Sequence, residues 1–404
     1  MSWVKYKLGD VCDIARGGSP RPISKFITKE QNGINWIKIA DATRSNKYIY
    51  KTKEKIKKEG ISRSRVVNDG DFLLSNSMSF GRPYIMRITG CIHDGWLVLS
   101  NYQKYLDIDF FYYLLSSSVV VNQFENLAQG STVRNLNKEL VSRVEVMIPP
   151  LSIQKKIVLK LDKIFAEIDK AIAATETNIK NIDDFFQSYL TNIFEKMLLK
   201  NKSIHLKNIC LFENGDRGKN YPSKKHQVRT GIPFINAGDL KEHWKISRNG
   251  MAFITQERFN LLSAGKVKIG DVLFCLRGSL GKCGIVEDID VGAIASSLVI
   301  IRPLSNKSTS KYIYWFLSSS ICSNYINNTK GGTAQPNLSA KKVMDYLIPL
   351  LDIKKQLEIS DLLDSFYLSV TKVKKTYINK IDEFVSLKRS ILLQVLSDEL
   401  VKAA

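Results

Sequence analysis

Two long stretches of the chain carry apolar residues at alternating intervals of three and four, which predicts helices that pack along one narrow side. The first stretch follows the pair Pro149–Pro150, and no further proline or glycine occurs before residue 203. Ser152 is the predicted N-cap. A single threonine interrupts the apolar series, which runs Leu161, Phe165, Ile168, Ile172, Thr175, Ile179, Ile182, Phe186, Tyr189 and Ile193.

A second stretch, after Pro349, repeats the pattern in weaker form, because two lysines stand in its series. That series runs Leu363, Tyr367, Val370, Lys374, Tyr377, Ile381, Phe384, Lys388, Ile391 and Val395. We call each of these apolar series the seam of its helix. A single helix cannot bury its own seam, so the sequence favours pairing of the two helices with each other. The alternative is that each helix packs on its own globular neighbour.

The chain is also a tandem duplication with an offset of about 200 residues. Collinear matches link the two halves, among them Leu8 with Leu206, Cys12 with Cys210, Asp41 with Asp239, Gly70 with Gly270, Gly81 with Gly281, Leu115 with Leu317, and Ile148 with Ile348. The repeat predicts four parts in order. They are a globular module at 1–148, a helix at 149–202, a second module at 203–348 and a second helix at 349–404.

Within the modules, short apolar runs predict buried strands at 35–39, 71–75, 233–236, 271–275 and 294–301. Helices predicted at 109–115 and 311–317 carry aromatic side chains at helical spacing, which favours core packing over a base-stacking surface.

Four repeated carboxylates precede or follow these strands. Asp71 and Asp271 stand in Gly-Asp turns, so we expect them to cap the turns. We also expect structural roles for Asp41 and Asp239. The alternative for this second pair is that it accepts a hydrogen bond from a cytosine amino group.

Composition narrows the class of partner. The net charge of +21 over 404 residues fits either a lysine-rich solvated surface or a polyanion partner, of which nucleic acid is the common one. The N-terminus lacks the apolar core of a signal peptide, and no run of eighteen apolar residues suggests a membrane span. Six scattered cysteines and four histidines favour a reduced, cytoplasmic protein without a zinc site.

No catalytic motif stands out in the sequence. A phosphate-binding loop, a dinucleotide fingerprint and the Asn-Pro-Pro-Tyr run of an amino-methyltransferase are all missing. The histidines have no carboxylate or cysteine partners that suggest a nucleophilic triad. We therefore predict neither catalytic nor metal-binding residues in this chain.

What remains is a set of basic and amide side chains near glycine-rich loops, suited to phosphates and base edges. A solvated surface charge is the alternative for each one taken singly. The predicted DNA-binding residues of the first module are Arg16, Ser19, Arg21, Lys25, Lys38, Arg44, Arg82, Arg134 and Asn135. Those of the second module are Arg217, Lys219, Lys224, Lys225, Arg277, Lys282, Gln335 and Asn337. The two modules differ most in sequence at the loops 16–22 and 214–220, as expected if the modules recognise different targets.

The chain resembles the DNA specificity subunit of type I restriction-modification systems. The resemblance covers essentially the whole chain, in the order module, helix, module, helix. It is carried by Gly17-Gly-Ser-Pro20, Ile34-Asn-Trp-Ile-Lys-Ile-Ala-Asp41, Gly231-Ile-Pro-Phe-Ile-Asn-Ala-Gly-Asp239, Ile148-Pro-Pro-Leu-Ser-Ile-Gln154 and Ile348-Pro-Leu-Leu-Asp-Ile-Lys354. The family's proline-leucine segment usually continues into Glu-Gln, where this chain has Ile153-Gln154 and Ile353-Lys354.

The resemblance implies an α+β fold with two mixed α/β target-recognition domains. These would be separated by two long antiparallel coiled-coil helices, with an internal pseudo-twofold repeat. Each domain would read half of an asymmetric bipartite site in double-stranded DNA. Two methyltransferase subunits would dock on the helices and bring S-adenosylmethionine, and restriction-translocase subunits would join them. This chain itself would bind no cofactor and would not be an enzyme.

Two other functions fit parts of the sequence. One is a single-chain restriction or nuclease enzyme, which would need catalytic motifs. The other is a coiled-coil scaffold that binds RNA or protein. Helices of about 45 residues, each about 68 Å long, favour the spacer of a two-headed DNA reader.

Overall fold

The computed structural model describes residues 3–45, 47–76, 80–128, 135–241, 243–329 and 337–401. The chain forms two compact units. Unit 1 comprises Met1–Thr175 and Asn379–Ala404, and unit 2 comprises Glu176–Ile378.

The strands of unit 1 form one pair and two five-stranded sheets. They are β1 (Val4–Lys7), β2 (Asp13–Arg16), β3 (Ile27–Thr28), β4 (Ile34–Ile37), β5 (Tyr48–Ile49), β6 (Glu54–Ile56), β7 (Arg65–Val67), β8 (Phe72–Ser75), β9 (Pro83–Met86), β10 (Gly90–Ile92), β11 (Trp96–Ser100) and β12 (Glu145–Ile148). β1 pairs with β12, and the sheets have the orders β3-β6-β4-β10-β7 and β2-β11-β8-β9-β5.

The helices of unit 1 are mostly short. They are α1 (Leu8–Val11), α2 (Ile39–Thr43), α3 (Ile108–Ser116), α4 (Ser118–Leu127), α5 (Lys138–Ser142) and the long α6 (Leu151–Lys200), which continues into unit 2. Asp107 caps α3 by accepting hydrogen bonds from the backbone N–H groups of Asp109 and Phe110.

The sheet that contains β8 and β11 is the buried middle layer of unit 1. Phe72 and Leu74 point into a core shared with α3 and α4, whereas Leu73 points into the core on the opposite face. A strand buried on both faces reads as a continuous apolar run, which is why the sequence predicts it. The aromatic residues of α3 are also in the core, as predicted, since Phe110 and Phe111 are fully buried.

Unit 2 repeats this plan with smaller sheets. Its strands are β13 (Ser203–His205), β14 (Cys210–Asn214), β15 (Gln227–Val228), β16 (Ile232–Ile235), β17 (Ala252–Ile254), β18 (Val272–Cys275), β19 (Cys283–Ile285), β20 (Ala293–Ile294), β21 (Leu298–Pro303) and β22 (Leu347–Pro349). The sheet orders are β13-β22, β14-β21-β18-β19 and β15-β17-β16-β20.

Five further α-helices follow among the described residues, and the last four of them match α3–α6 of unit 1 in their order along the chain. They are α7 (Gln256–Asn260), α8 (Ser310–Leu317), α9 (Ser320–Thr329), α10 (Ala340–Met344) and the long α11 (Ile353–Val401), whose last part lies in unit 1. Val272 and Phe274 of β18 face one core and Leu273 and Cys275 face another, so the middle layer is repeated as well.

The structure corrects three predicted boundaries. The strand predicted at 35–39 ends at Ile37, and Ile39 begins α2. Ser152 is not the N-cap of α6, because α6 begins at Leu151, directly after the proline pair. The strand predicted at 294–301 is two strands, β20 and β21, because Ala295-Ser296-Ser297 leaves the extended conformation between them.

Within each unit, the seams of α6 and α11 make two kinds of contact. In unit 2, Phe186 of α6 contacts Trp315 of α8, and also Phe366 and Tyr367 of α11. In unit 1, Leu161 of α6 and Leu392 of α11 belong to one core with the α3 and α4 side chains. The predicted pairing of the helices is therefore confirmed, and their seams also pack on the neighbouring module.

The two seam lysines of α11 pair with aspartates of α6. Lys374 Nζ lies 2.7 Å from an Asp183 carboxylate oxygen in unit 2, and Lys388 pairs with Asp169 in unit 1. In unit 2, Asp183 faces Lys374 and the later Tyr189 faces the earlier Phe366, so the helices run antiparallel there.

A buried glutamine in the first turn of each long helix fixes the helix to its module. Gln154 of α6 accepts from the backbone N–H of Asp107 and donates to the carbonyls of Tyr105 and Pro149. In α11 the same three kinds of bond are made by Gln356, with the Thr309 N–H and with the carbonyls of Lys307 and Leu351. The structural counterpart of Gln154 is thus Gln356 and not Lys354.

Candidate nucleic-acid interface

The recognition loop of unit 1, residues 16–22, lies against the turn at 92–96. Gly17 donates its N–H to the Trp96 carbonyl at 2.9 Å, and Gly18 donates to the Ile92 carbonyl at 3.2 Å. A Cβ at Gly17 would lie 2.0 Å from the His93 carbonyl oxygen. Glycine is required here because the two backbones touch.

Three of the predicted DNA-binding residues converge on Asp94 in that turn. Ser19 Oγ donates to one carboxylate oxygen at 2.8 Å, and an Arg21 guanidinium nitrogen lies 3.3 Å from the other. Arg16 Nε donates to the Asp94 carbonyl at 3.2 Å. The loop is therefore organised around one acidic residue that the sequence reasoning did not single out.

Asp94 is held in its ionised form. The Ser19 hydrogen bond, with further help from the His93 and Arg21 charges, keeps the pKa of Asp94 below its ordinary value. Burial lowers the pKa of the neighbouring His93, while the Asp94 charge acts in the opposite direction.

The loop and the turn form one side of a groove of about 1130 Å³. The groove wall is mostly apolar, and its apolar members are Pro20, Pro22, Ile23, Ile27, Trp36, Ile39 and Ala40. Its polar members include Arg21 and Lys38, and Lys38 forms an ion pair with Glu54. Ser19, Arg21 and Lys38, predicted separately along the chain, thus line a single concave surface.

A second, polar pocket of unit 1 contains predicted Arg44. It is also lined by Tyr50, Lys51 and Lys53, which were not predicted. Tyr50 is 64% exposed, so its ring is accessible to a ligand at this pocket. The signal was available in the sequence, because residues 44–65 hold nine lysines and arginines against two glutamates.

The other predicted residues of unit 1 lie apart from the groove lining. Lys25 is exposed at the end of a 3₁₀ turn. The Arg82 guanidinium lies 5.3 Å from the centroid of the Tyr84 ring. Asn135 has a buried side-chain oxygen without a hydrogen-bond partner among the described residues. Arg134 lies outside the described residues.

The corresponding loop of unit 2, residues 214–220, is held differently. Asp216 is 6% exposed and accepts from the backbone N–H of Gly218 at 2.7 Å and from the N–H and hydroxyl of Ser263, each at 2.9 Å. These hydrogen bonds, led by the Ser263 N–H, lower the pKa of Asp216. The acidic residue here belongs to the loop itself.

The loop arginines of the two units nevertheless reach equivalent positions. In unit 1, Arg16 pairs with Leu97 across the ladder, and its guanidinium bonds the carbonyl three residues before Leu97. In unit 2, Asn214 pairs with Val299, and the Arg217 guanidinium lies 3.3 Å from the carbonyl of Ser296, again three residues earlier. Two arginines from different loop positions thus contact the same site of the scaffold.

The remaining predicted residues of unit 2 form separate groups. Lys219, Lys224 and Lys225 are exposed along the loop and the 3₁₀ turn that follows it. Arg277 Nε donates to the side-chain oxygen of Asn337 at 3.2 Å across an isolated β-bridge.

Lys282 is half-buried, and its carbonyl accepts from the Cys275 N–H, as the Arg82 carbonyl accepts from the Ser75 N–H in unit 1. Arg82 and Lys282 therefore occupy equivalent positions in the two units. Gln335 lies outside the described residues.

The four repeated carboxylates have the structural roles that we predicted. Asp71 and Asp271 each accept from a backbone N–H three residues earlier, at 2.7 Å. Asp41 accepts from the Lys38 N–H at 3.1 Å, and Asp239 from the Asn236 N–H at 2.7 Å.

The described part of the chain offers no group of three or more His, Cys, Asp or Glu side chains that could hold a metal ion. All six cysteines are buried and unpaired. Burial raises the pKa of Cys12 to about 12, which leaves its thiol protonated. No helix in the described ranges is long and apolar enough to cross a bilayer.

A family model, the type I restriction modification DNA specificity domain, matches residues 1–182 and 199–383. The chain belongs to this specificity family. One curated relative is the EcoBI specificity subunit of Escherichia coli, which is 22% identical over 99% of this chain and 86% of its own length. Another is the EcoKI specificity subunit of Escherichia coli, which is 24% identical over 74% of this chain and 67% of its own length.

Two solved structures share the fold of this family member. One is a chain of a type I R-M system solved in work on its complex assembly and conformational transition. It has a TM-score of 0.68 at 17% identity, and the match covers 98% of this chain and 97% of the other. The other is the HsdS subunit from Thermoanaerobacter tengcongensis, with a TM-score of 0.50 at 17% identity over 99% and 97%. The α+β fold with two mixed modules and two long helices is therefore the fold of specificity subunits.

Proposed function

We propose that this chain is the DNA-binding specificity subunit of a type I restriction-modification complex. Each unit would read one half of an asymmetric bipartite site in double-stranded DNA. The observation that carries the proposal is the repeated scaffold with two unlike loops, each presenting an arginine at the equivalent carbonyl, in a chain whose family match covers both repeats.

The electrostatics suit a duplex partner. The net charge of +21 supplies a sequence-independent attraction to phosphates. Specificity then needs side chains in a fixed geometry. The loop in unit 1 meets that need, because two glycine N–H groups and the Asp94 carboxylate hold it in place.

The partners follow from the family and remain part of the proposal. Methyltransferase subunits, two in number, would dock on the long helices and supply S-adenosylmethionine, and restriction-translocase subunits would complete the assembly in the cytoplasm. This chain would contribute recognition and no catalysis. The curated relatives are specificity subunits, which supports that division of labour.

The division of the chain also remains a proposal. Residues 1–148 and 203–348 would be the reading modules, and residues 149–202 and 349–404 would form the spacer.

Methylome sequencing of a host that carries this chain with its methyltransferase tests the function. We expect a two-part motif with unlike halves and a spacer of unspecified bases. Inserting one helical turn after Ala173, with a matching turn in α11, should lengthen the spacer and leave both halves unchanged. A continuous motif, or altered bases within the halves, would contradict the proposal.

The single-chain nuclease and the RNA-binding scaffold are not favoured by any observation on the described residues. Competition of the motif duplex against RNA of the same sequence separates the scaffold from the specificity subunit.

A further inference from the structure

The groove of unit 1 leaves apolar side chains open to solvent beside cations. Proline, isoleucine and alanine side chains form most of its wall, and Trp36 lies at its floor. A water-filled apolar groove is costly unless a ligand covers it. Arg21 and Lys38 line the same groove, each paired with a carboxylate, so the groove offers hydrogen-bond donors and acceptors beside its apolar wall. The base edges of duplex DNA combine polar atoms with an apolar methyl group in the same way.

The corresponding surface of unit 2 is covered by the chain itself. Phe234 stands 198 residues after Trp36, at the same ladder position against a parallel strand. The Tyr221 ring packs edge-on against it at 5.9 Å, and Phe259 belongs to the same cluster. Among the described residues, the side chains around this ladder position therefore differ between the two units.

Two carboxylates face the same groove. Glu54 is paired with Lys38, and Asp94 accepts from Ser19 and Arg21. An ionised carboxylate has about four acceptor sites, so each one retains capacity for a further donor. Such acceptors suit the amino group of adenine or cytosine and repel the O6 oxygen of guanine.

We infer that this groove reads the major-groove edge of an A·T base pair through the thymine methyl group. Thymine carries the one methyl group displayed in the major groove, and the A·T pair is the one that presents a methyl and an amino group together. The apolar wall takes the methyl, and a groove carboxylate accepts from the adenine amino group. This inference rests on the proposed function and names a base-pair class for the first half-site.

The test removes the methyl group alone. The motif duplex found by methylome sequencing is prepared with each thymine replaced in turn by uracil, and its binding to the full chain is measured. Within the half assigned to residues 1–148 by module exchange, we expect at least one uracil to weaken binding by about fourfold, the value of one buried methyl group.

A variant pair checks that the groove is the reader. We call the ratio of binding between the thymine and uracil duplexes the uracil penalty. In the double variant Ile23→Ala/Ile39→Ala this ratio should fall toward one, because the side chains that contact the methyl group have been removed. Val66→Ala is the matched control, an exposed valine of the same unit outside the groove, and should keep the full penalty. Unchanged recognition of the other half-site shows that each variant is folded.

The failures are distinguishable. A first half-site without any A·T pair, or equal binding of every uracil duplex, overturns the groove inference and leaves the proposed function in place. A uracil penalty that persists in the double variant overturns it too. A chain that binds the motif no better than a scrambled duplex overturns both.

Discussion

The loop at 16–22 in unit 1 and the loop at 214–220 in unit 2 begin from the same anchor and are then held by opposite arrangements. Gly17 and Gly215 both press against a carbonyl, of His93 and of Ala295 respectively. After that glycine, unit 1 places its donors on the loop and its carboxylate, Asp94, on the facing turn. Unit 2 reverses this.

In unit 2 the carboxylate of Asp216 is on the loop, and the donors come from Ser263. The comparison teaches that the duplicated frame fixes where a loop starts, while the partners that hold it have diverged. Divergence of this kind lets each loop present different side chains without disturbing the shared sheets.

The shared frame itself is tested most strongly at Gln154 and Gln356, the two buried glutamines that fix the long helices to their modules and that we call the glutamine clamps. Gln154→Leu and Gln356→Leu each remove three hydrogen bonds to backbone groups in a partly buried place, so we expect each to cost about 3 kcal/mol. Thermal melting should show similar losses for both variants. A large loss for one and none for the other would mean that the clamps are not equivalent.

The common anchor predicts the next largest effect. A valine Cβ at Gly17 or Gly215 would meet a backbone oxygen at 2.0 or 2.6 Å, which costs about 1–3 kcal/mol and displaces the loop. Gly17→Val should abolish recognition of one half-site in the methylome, and Gly215→Val that of the other. Gly238→Ala, where a Cβ meets nothing within 4 Å, is the control and should change neither. Loss of the same half-site in both variants would break the comparison.

The opposite arrangements of charge predict unequal responses to neutralisation. Asp216→Asn replaces one of the two buried acceptor oxygens by an NH2 group, which then faces the N–H of Gly218 or of Ser263, so we expect a cost of about 1–3 kcal/mol. Asp94→Asn alters a half-exposed contact with an arginine side chain that is 81% exposed, so about 1 kcal/mol or less is expected. Hydrogen exchange of the two loops measures both. Equal loss of protection would contradict the account.

Acid should act on both loops in the same direction. The folded pKa of each carboxyl lies below its unfolded value, near 3.9. Its stabilising contribution is therefore complete above about pH 4 and is lost as the pH falls through the folded pKa. The Asp216→Asn variant should lack its share of this acid dependence.

The smallest effect is expected at the seam lysines. Lys374 and Lys388 each pair with one aspartate on the helix surface, a contact worth about 0–1 kcal/mol. Lys374→Met and Lys388→Met should change the melting temperature by a few degrees at most, because an apolar side chain suits a seam position. A large destabilisation would show that the ion pairs, and not the apolar seam, hold the helices.

Periodicity and repetition predicted the fold well. The seam residues of α6 and α11 are buried or half-buried at each predicted position, and the aromatic faces of α3 and α8 lie in the cores. These features are local, so a single sequence displays them. The sequence did not reveal that two residues are inserted before this point of α11. The repeat offset at Ile148 and Ile348 aligns Gln154 with Lys354, whereas the hydrogen bonds show that Gln356 is its structural counterpart.

The candidate interface was predicted less completely. Arg16, Ser19 and Arg21 stood out because glycine and proline surround them, but Asp94 lies far along the chain and carries no motif. The apolar groove was likewise hidden, since Trp36 and Ile39 read as ordinary strand residues. A site assembled from distant segments is defined by tertiary contacts, which composition and spacing do not contain.

Module exchange tests the central claim most directly. Residues 1–148 are replaced by the first module of another specificity subunit, and the methylome of the host is sequenced. The account predicts that one half of the motif changes while the other half and the spacer length stay as they were. A motif that stays the same, or one in which both halves change, would contradict the claim that two unlike modules on one repeated frame read the two halves separately.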